Sequence, residues 1–151
     1  MQKITIFLLI FFISFTGCRS HRKVTQTNRS KNNWEMIYQK YKGTGYRYGG
    51  TNARGFDCSG FVQRAYQDAY GISLPRTTKA MMKTGKKINK NNLKSGDLVF
   101  FHPTRKYYHV GIYLGKGIFM HASSSKGVTK SDIHHKYWEK SYVTARRILT
   151  R

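Results

Sequence analysis

Apolar residues in the middle of the chain recur at helical spacing, and further on they alternate with polar residues. Counted from Cys58, they fall at i, i+3, i+4, i+7, i+8 and i+11, which is the pattern of one helix face. Asp57 just before this stretch predicts an N-cap, and Gly71 just after it predicts the left-handed residue that ends a helix. After Gly96 and Asp97 the alternation is typical of strands. Helices followed by a small antiparallel sheet predict an α+β fold.

The remaining elements are predicted from the same two spacings. A helical repeat that ends at Gly43 indicates a short helix over residues 34–42, and a second short helix over residues 75–83 would be capped by Thr77 or Thr78. The glycine-rich stretch from residue 43 to 55 is expected to be a loop. Alternation predicts strands over residues 98–101, 109–114, 118–122 and 142–149.

The N-terminal segment is typical of a targeting signal. Residues 4–15 are almost all apolar, yet this run of about a dozen residues is too short to span a bilayer, which takes roughly 20. Shortly after it, Cys18 lies in a sequence that resembles the lipobox of bacterial lipoproteins. We therefore expect a signal peptide over residues 1–17 and a lipid anchor on Cys18. A plain secretory signal is the alternative, and Arg19 after the cysteine implies the outer membrane, facing the periplasm, under the enterobacterial sorting pattern.

The rest of the chain divides into two parts. Residues 18–33 are polar and basic and are expected to form a linker, and residues 34–151 are expected to form one globular domain. The linker's charge could touch anionic head groups or cell-wall polymer, or it could be a solvated tether without a specific partner.

Cys58 is a candidate nucleophile. A Cys18–Cys58 disulfide is the default expectation for an exported protein with two cysteines, but lipidation of Cys18 leaves Cys58 as a lone thiol. The first turn of a helix stabilises a thiolate, so we expect the pKa of Cys58 to be lowered, and the free N–H groups there can receive an oxyanion. A buried structural cysteine is the alternative.

Two histidines could supply the base. If residues 115–117 form the hairpin loop, Leu114 pairs with Ile118, and Gly111 lies opposite His121. His109 and His121 then share one sheet face, which suits His109 as base and His121 as the group that orients it. A loop of the other parity would move His121 to the opposite face. The other histidines and the carboxylates show no metal-binding spacing, so no metal or other cofactor is expected.

Several ordered motifs resemble those of the NlpC-type cell-wall peptidases. They are GYRYGG at residues 45–50, FDCSGFV at 56–62, LPRT at 74–77, SGDLVF at 95–100, HVGIY at 109–113 and FMHA at 119–122. The resemblance implies a papain-like α+β fold and a catalytic triad at Cys58, His109 and His121. It also implies that Tyr46 lines the substrate site and that Asp57 and Ser59 lie near the substrate, although capping explains Asp57 without that role. The family's chemistry is hydrolysis of amide bonds in peptidoglycan stem peptides or their cross-links.

The charge of the chain favours an anionic partner. Lysine and arginine number 28 against 6 acidic residues, a net charge of +22, and residues 34–151 alone carry 22 basic and 6 acidic residues, or +16. Such a domain attracts the carboxylates of peptidoglycan peptides.

Nucleic acid is not expected as a partner, because a signal peptide directs the protein out of the compartment that holds nucleic acid. We expect a monomeric peptidase of the cell envelope; a catalytically silent wall-binding lipoprotein and a lipid acyltransferase remain as alternatives.

Overall fold

The computed structural model describes residues 33–149. The predicted signal peptide, Cys18 and the linker up to residue 32 lie outside the described residues. Within the described part, the helices are α1 (33–41), α2 (Cys58–Tyr70), α3 (Thr78–Met81) and α4 (Lys136–Ser141), with a 3₁₀ turn at Lys90–Asn92. The strands are β1 (Thr51–Asn52), β2 (Gly55–Phe56), β3 (Lys86–Ile88), β4 (Leu98–Thr104), β5 (Tyr107–Gly115), β6 (Ile118–Ser123), β7 (Gly127–Asp132) and β8 (Tyr142–Arg147).

Helix α2 begins and ends where its sequence predicts. The Asp57 carboxylate accepts a hydrogen bond of 2.7 Å from the backbone N–H of Gly60, which satisfies one of the free donors of the first turn. At the other end Gly71 adopts a φ of 68°, a left-handed conformation that favours glycine, and its N–H donates to the Gln67 carbonyl. Thr77 caps α3 in the same way through the N–H of Ala80.

Six strands form one antiparallel sheet in the order β3-β8-β4-β5-β6-β7. Strands β4, β5, β6 and β8 correspond to the predicted strands, although β8 ends at Arg147, two residues before the predicted end. Strands β1 and β2 form a separate two-stranded hairpin inside the predicted glycine-rich loop. The layout of helices followed by an antiparallel sheet confirms the predicted α+β class.

The sheet has two buried faces, each covered by a different helix. On the α2 face, residues of β4, β5 and β6 such as Leu98, Val110 and Met120 pack against the buried side of α2. On the α4 face, Phe101 and Phe119 pack against Trp138 of α4. Because side chains along β5 alternate between the two faces, this strand contributes residues to the packing on both sides of the sheet.

The sequence analysis missed the elements at the margins of the sheet. Strands β3 and β7 are its two edges, and both are mostly polar, so alternation of apolar residues does not reveal them. Helix α4 has only six residues and buries no residue fully. Among residues 33–149, no helix is long and apolar enough to cross a membrane.

Candidate active site

A cleft of about 1110 Å³ opens where the start of α2 meets the α4 face of the sheet. Its walls come from the loop before α2, the start of α3, strands β5 to β7, and α4. All six site residues predicted within the described part of the chain line this cleft: Tyr46, Asp57, Cys58, Ser59, His109 and His121.

Cys58 is the first residue of α2, and its thiol is partly buried. The sulfur lies 3.7 Å from the hydroxyl oxygen of Thr78 and within hydrogen-bonding reach of the backbone N–H groups of Val110 and Ser59. Burial raises the pKa of the Cys58 thiol, and the nearby Asp57 carboxylate raises it further, while these three hydrogen bonds oppose the rise. The expected lowering of this pKa is therefore wrong, because desolvation outweighs the stabilisation that the helix start provides.

As predicted, the register of β5 and β6 places the two histidines on one sheet face, which is the α4 face, but the hairpin loop that sets this register differs from the predicted loop. Gly115, not Leu114, pairs with Ile118, which leaves a shorter loop than expected. An irregularity between Tyr113 and Gly115 takes up one residue, so the pairs beyond it keep the expected register. Without this bulge the shorter loop would have turned His121 to the other face.

Gly111 allows the two imidazoles to approach each other. A Cβ at this position would lie 2.6 Å from a ring carbon of Phe119 and 3.2 Å from the Cβ of His121, so a larger residue does not fit. In the space that Gly111 leaves, His109 Nε2 lies 2.9 Å from His121 Nδ1. The predicted pairing of these side chains on one face is thus present, and a hydrogen bond joins them.

The histidine pair is buried under aromatic rings. The ring of Trp138 lies 5.2 Å from that of His109 and 5.0 Å from that of His121, and Phe119 stacks on His121 at 4.9 Å. Burial lowers the pKa of His109 to about 4; burial, and then the neighbouring His109, lower that of His121 to about 2. Both imidazoles are therefore neutral at pH 7 and can accept a proton, and the Cys58 thiol in the same cleft is protonated.

Asp57 and Arg76 organise the floor of the cleft. The guanidinium of Arg76 donates to both carboxylate oxygens of Asp57, at 3.1 and 2.6 Å, and to the Ser59 hydroxyl at 2.9 Å. The Gly49 N–H also donates to Asp57, at 3.0 Å, which ties the preceding loop to α2. Burial alone would raise the pKa of Asp57, but the hydrogen bonds from Arg76 and Gly60 outweigh it, and the pKa lies below its usual range.

Tyr46 stands at the rim, where the loop before α2 pairs with β2 through the bridge between Tyr46 and Phe56. Its side chain is 38% exposed and its hydroxyl is close enough to Cys58 to interact with it electrostatically. Burial raises the pKa of Tyr46, so its hydroxyl remains a hydrogen-bond donor at neutral pH.

In the described part of the chain, no group of three or more His, Cys, Asp or Glu side chains is arranged to hold a metal ion.

Among the lining residues that the sequence analysis did not assign to the site, four contact the predicted site residues: Arg76, Thr78, Ser131 and Trp138. Arg76 belongs to the LPRT motif, but nothing in the sequence indicates that its partner is Asp57, 19 residues away. Ser131 lies on the unpredicted β7 and its hydroxyl is 2.9 Å from His121 Nε2. Weak alternation along residues 127–132 is the one local signal for that strand.

Comparisons with known proteins show the family of the chain. The chain matches the model of the NlpC/P60 family over residues 43–147. The probable endopeptidase NlpC homolog of Haemophilus influenzae is 50% identical over 113 residues, which are 75% of this chain and 60% of that protein. The murein DD-endopeptidase MepS/murein LD-carboxypeptidase of Escherichia coli strain K12 is 46% identical over 114 residues, or 76% of this chain and 61% of that protein. The match thus spans about three fifths of the length of these two relatives.

A solved structure supports the fold independently. The crystal structure of a lipoprotein-like protein of the NLP/P60 family from Staphylococcus aureus subsp. aureus Mu50 has a TM-score of 0.73 and 34% sequence identity. The similarity covers 82% of this chain and 43% of that chain. The expected papain-like α+β fold is confirmed.

Proposed function

The chain belongs to the NlpC/P60 family, and we propose that it is a peptidoglycan endopeptidase that hydrolyses amide bonds of stem peptides or their cross-links. The observation that carries this proposal is the thiol at the start of α2 in a cleft with two neutral, hydrogen-bonded imidazoles. The relative named a murein DD-endopeptidase supports the substrate class.

In the proposed reaction Cys58 is the nucleophile and His109 is the base. As the sulfur attacks the amide carbonyl carbon, the thiol proton passes to His109, which then gives it to the leaving amine. The acyl group remains on sulfur as a thioester, and water activated by His109 hydrolyses it to a carboxylic acid and the free thiol. His121 holds the imidazole of His109 in place. Because both groups are neutral at rest, the proton moves during the attack and not before it.

The tetrahedral oxyanion would be stabilised at the start of α2. Backbone N–H groups of the first helical turn have no partner within the helix, and the Tyr46 hydroxyl stands at the rim close to Cys58. Ser59 and Asp57 would contact the substrate from the floor of the cleft, with Arg76 fixing the orientation of both side chains.

The charge around the cleft favours a substrate that carries carboxylates. Lys79, Lys106 and Lys126 line it, and none of the three forms an ion pair within residues 33–149. Arg76 is already neutralised by Asp57, so these lysines supply the positive charge of the rim. A carboxylate-rich peptide is attracted to such a site.

The test uses purified sacculi and mass spectrometry of the released muropeptides. We expect Cys58→Ala and His109→Ala to abolish release while circular dichroism shows an unchanged fold. His134→Ala is the matched control because His134 is exposed and lies outside the cleft, and it should keep full activity. Release of peptide fragments by Cys58→Ala would contradict the proposal.

Incubating the protein with sacculi and with phospholipid distinguishes a peptidase from a wall-binding lipoprotein and from a lipid acyltransferase. A wall-binding lipoprotein would bind sacculi and release nothing, and a lipid acyltransferase would form a thioester on Cys58 from phospholipid rather than from sacculi. Trapping the acyl-enzyme and measuring the mass of the acyl group identifies the donor.

We also propose that the protein is anchored at the cell envelope by a lipid on Cys18, facing the periplasm. The full-length protein should then partition into detergent and exceed the mass of the cleaved chain by several acyl groups, because stable anchoring needs more than one chain. Cys18→Ala should release it, and recovery of the unmodified protein as a soluble periplasmic species would contradict the anchor.

A further inference from the structure

We propose that Ser131 is a positioning residue that sets the tautomer of the histidine pair, an inference that rests on the proposed peptidase function. Its hydroxyl oxygen lies 2.9 Å from His121 Nε2, and His121 Nδ1 lies 2.9 Å from His109 Nε2. The three side chains form one hydrogen-bonded row that begins at β7 and ends at the imidazole of His109, which lines the same cleft as Cys58.

Strand pairing brings Ser131 to this position. On β7, Thr129 is directly opposite His121, and Ser131 is opposite Phe119, two residues further along the same face. The serine hydroxyl therefore reaches the histidine diagonally across the sheet. His121 is only 2% exposed, whereas Ser131 is partly exposed, and both line the cleft.

Two neutral imidazoles can share the proton between them in two ways. If His109 Nε2–H donates to His121 Nδ1, then His109 Nδ1 carries a lone pair and can take the thiol proton of Cys58. If His121 Nδ1–H donates to His109 Nε2 instead, the proton of His109 is on Nδ1, and this nitrogen cannot act as a base. The position of one proton thus decides whether the site is competent.

Ser131 stabilises the competent arrangement. In that arrangement His121 carries its proton on Nε2, and this buried N–H needs an acceptor, which is the Ser131 oxygen. The hydroxyl can direct its own proton to water in the cleft. In the other arrangement the hydroxyl can donate to the unprotonated Nε2, so Ser131 can pair with His121 in either state. Without the hydroxyl, however, the competent arrangement leaves a buried N–H donor unpaired, whereas the other leaves only a ring lone pair. Because an unpaired buried donor is the costlier of the two, its loss shifts the pair toward the arrangement in which His109 cannot accept a proton.

The experiment compares Ser131→Ala with Ser131→Thr. Nitrogen-15 NMR of the imidazole rings reports the tautomers directly, and muropeptide hydrolysis gives kcat and KM. In the wild type we expect both histidines to be protonated at Nε2. Ser131→Ala should shift protonation of both rings toward Nδ1 and lower kcat about three- to tenfold with KM unchanged, the effect of one neutral hydrogen bond. Ser131→Thr should restore the wild-type spectrum and kcat.

Each result has a defined meaning. Ser73→Ala, which removes an exposed hydroxyl outside the cleft, is the control and should change neither measurement. Wild-type rings protonated at Nδ1 would overturn the proposal without any variant, so it remains testable even if Ser131→Ala does not fold. A loss of activity with unchanged ring signals, or a rise in KM alone, would also overturn it. Failure of the proposed function is distinguishable, because the wild type would then be inactive while the NMR effect of Ser131 remained.

Discussion

The two faces of the six-stranded sheet enclose interiors of different chemistry. On the α2 face aliphatic and aromatic side chains from helix and sheet form the larger core, and the ring centres of Phe61 and Phe56 lie 5.8 Å apart. On the α4 face, aromatic rings of similar kind surround two imidazoles, and the cleft opens beside them. One face stabilises the fold, and the other uses the same exclusion of water to hold two bases uncharged.

The comparison also explains why the nucleophile and the base are on different elements. Cys58 belongs to α2, so its backbone is fixed by the apolar core, whereas His109 belongs to the α4 face of β5. The thiol lies beside the N–H of Val110, the residue after His109, where the two faces meet at the start of the helix. Rigidity on one face therefore fixes geometry on the other.

The largest expected effect on stability comes from a substitution in the core of the α2 face. Phe61 is fully buried and its ring contacts those of Phe56 and Tyr41, so Phe61→Ala should lower the free energy of unfolding by about 3–5 kcal/mol. Urea denaturation measures this loss. Phe61→Leu, which keeps most of the apolar volume, should cost clearly less. A loss below about 1 kcal/mol for the alanine variant would mean that this face is not the principal core.

A second prediction concerns the stability of the α4 face in acid. Because the pKa of His109 is about 4 and that of His121 about 2 when folded, the unfolded chain binds more protons below its histidine pKa of about 6.5. Stability should therefore fall as pH decreases, by up to about 2 kcal/mol per histidine between pH 6.5 and 5. Urea midpoints across this range measure the slope.

His121→Asn provides the control for that slope. The variant has one buried titrating group fewer, so its stability should depend less on pH even if its stability at pH 7 is lower. Asp57, whose pKa is lowered, stays ionised in both states above pH 5 and contributes little to the difference. An equal slope in the variant would contradict the assignment to the histidine pair.

The sequence predicts features that depend on nearby residues. Asp57, Cys58 and Gly71 are within one helix and its caps, so spacing and capping chemistry are enough to place the thiol on the first turn. Strand β5 is equally local, because its alternation assigns His109 to one face and Val110 to the other.

Features that depend on distant pairing were predicted incompletely. The bulge between Tyr113 and Gly115 is a property of two strands together, and the predicted position of His121 relied on a loop that the structure replaces with this bulge. Ser131 and Arg76 act on residues 10 and 19 positions away, and their own neighbours give no sign of it. The pKa of Cys58 was predicted in the wrong direction because burial by the surrounding elements cannot be read from one helix.

The smallest expected effect is at Cys58, where the two faces meet. Because burial raises the pKa of the thiol, alkylation by iodoacetamide should follow a pH profile displaced above that of a free cysteine, whose pKa is about 8.5. Thr78 lies 3.7 Å from the sulfur and its hydrogen bond favours the thiolate, so Thr78→Val should displace the profile further upward. Denatured protein provides the free-thiol reference. A profile below that reference would mean that the helix start outweighs burial, and the neutral resting pair of Cys58 and His109 would then be wrong.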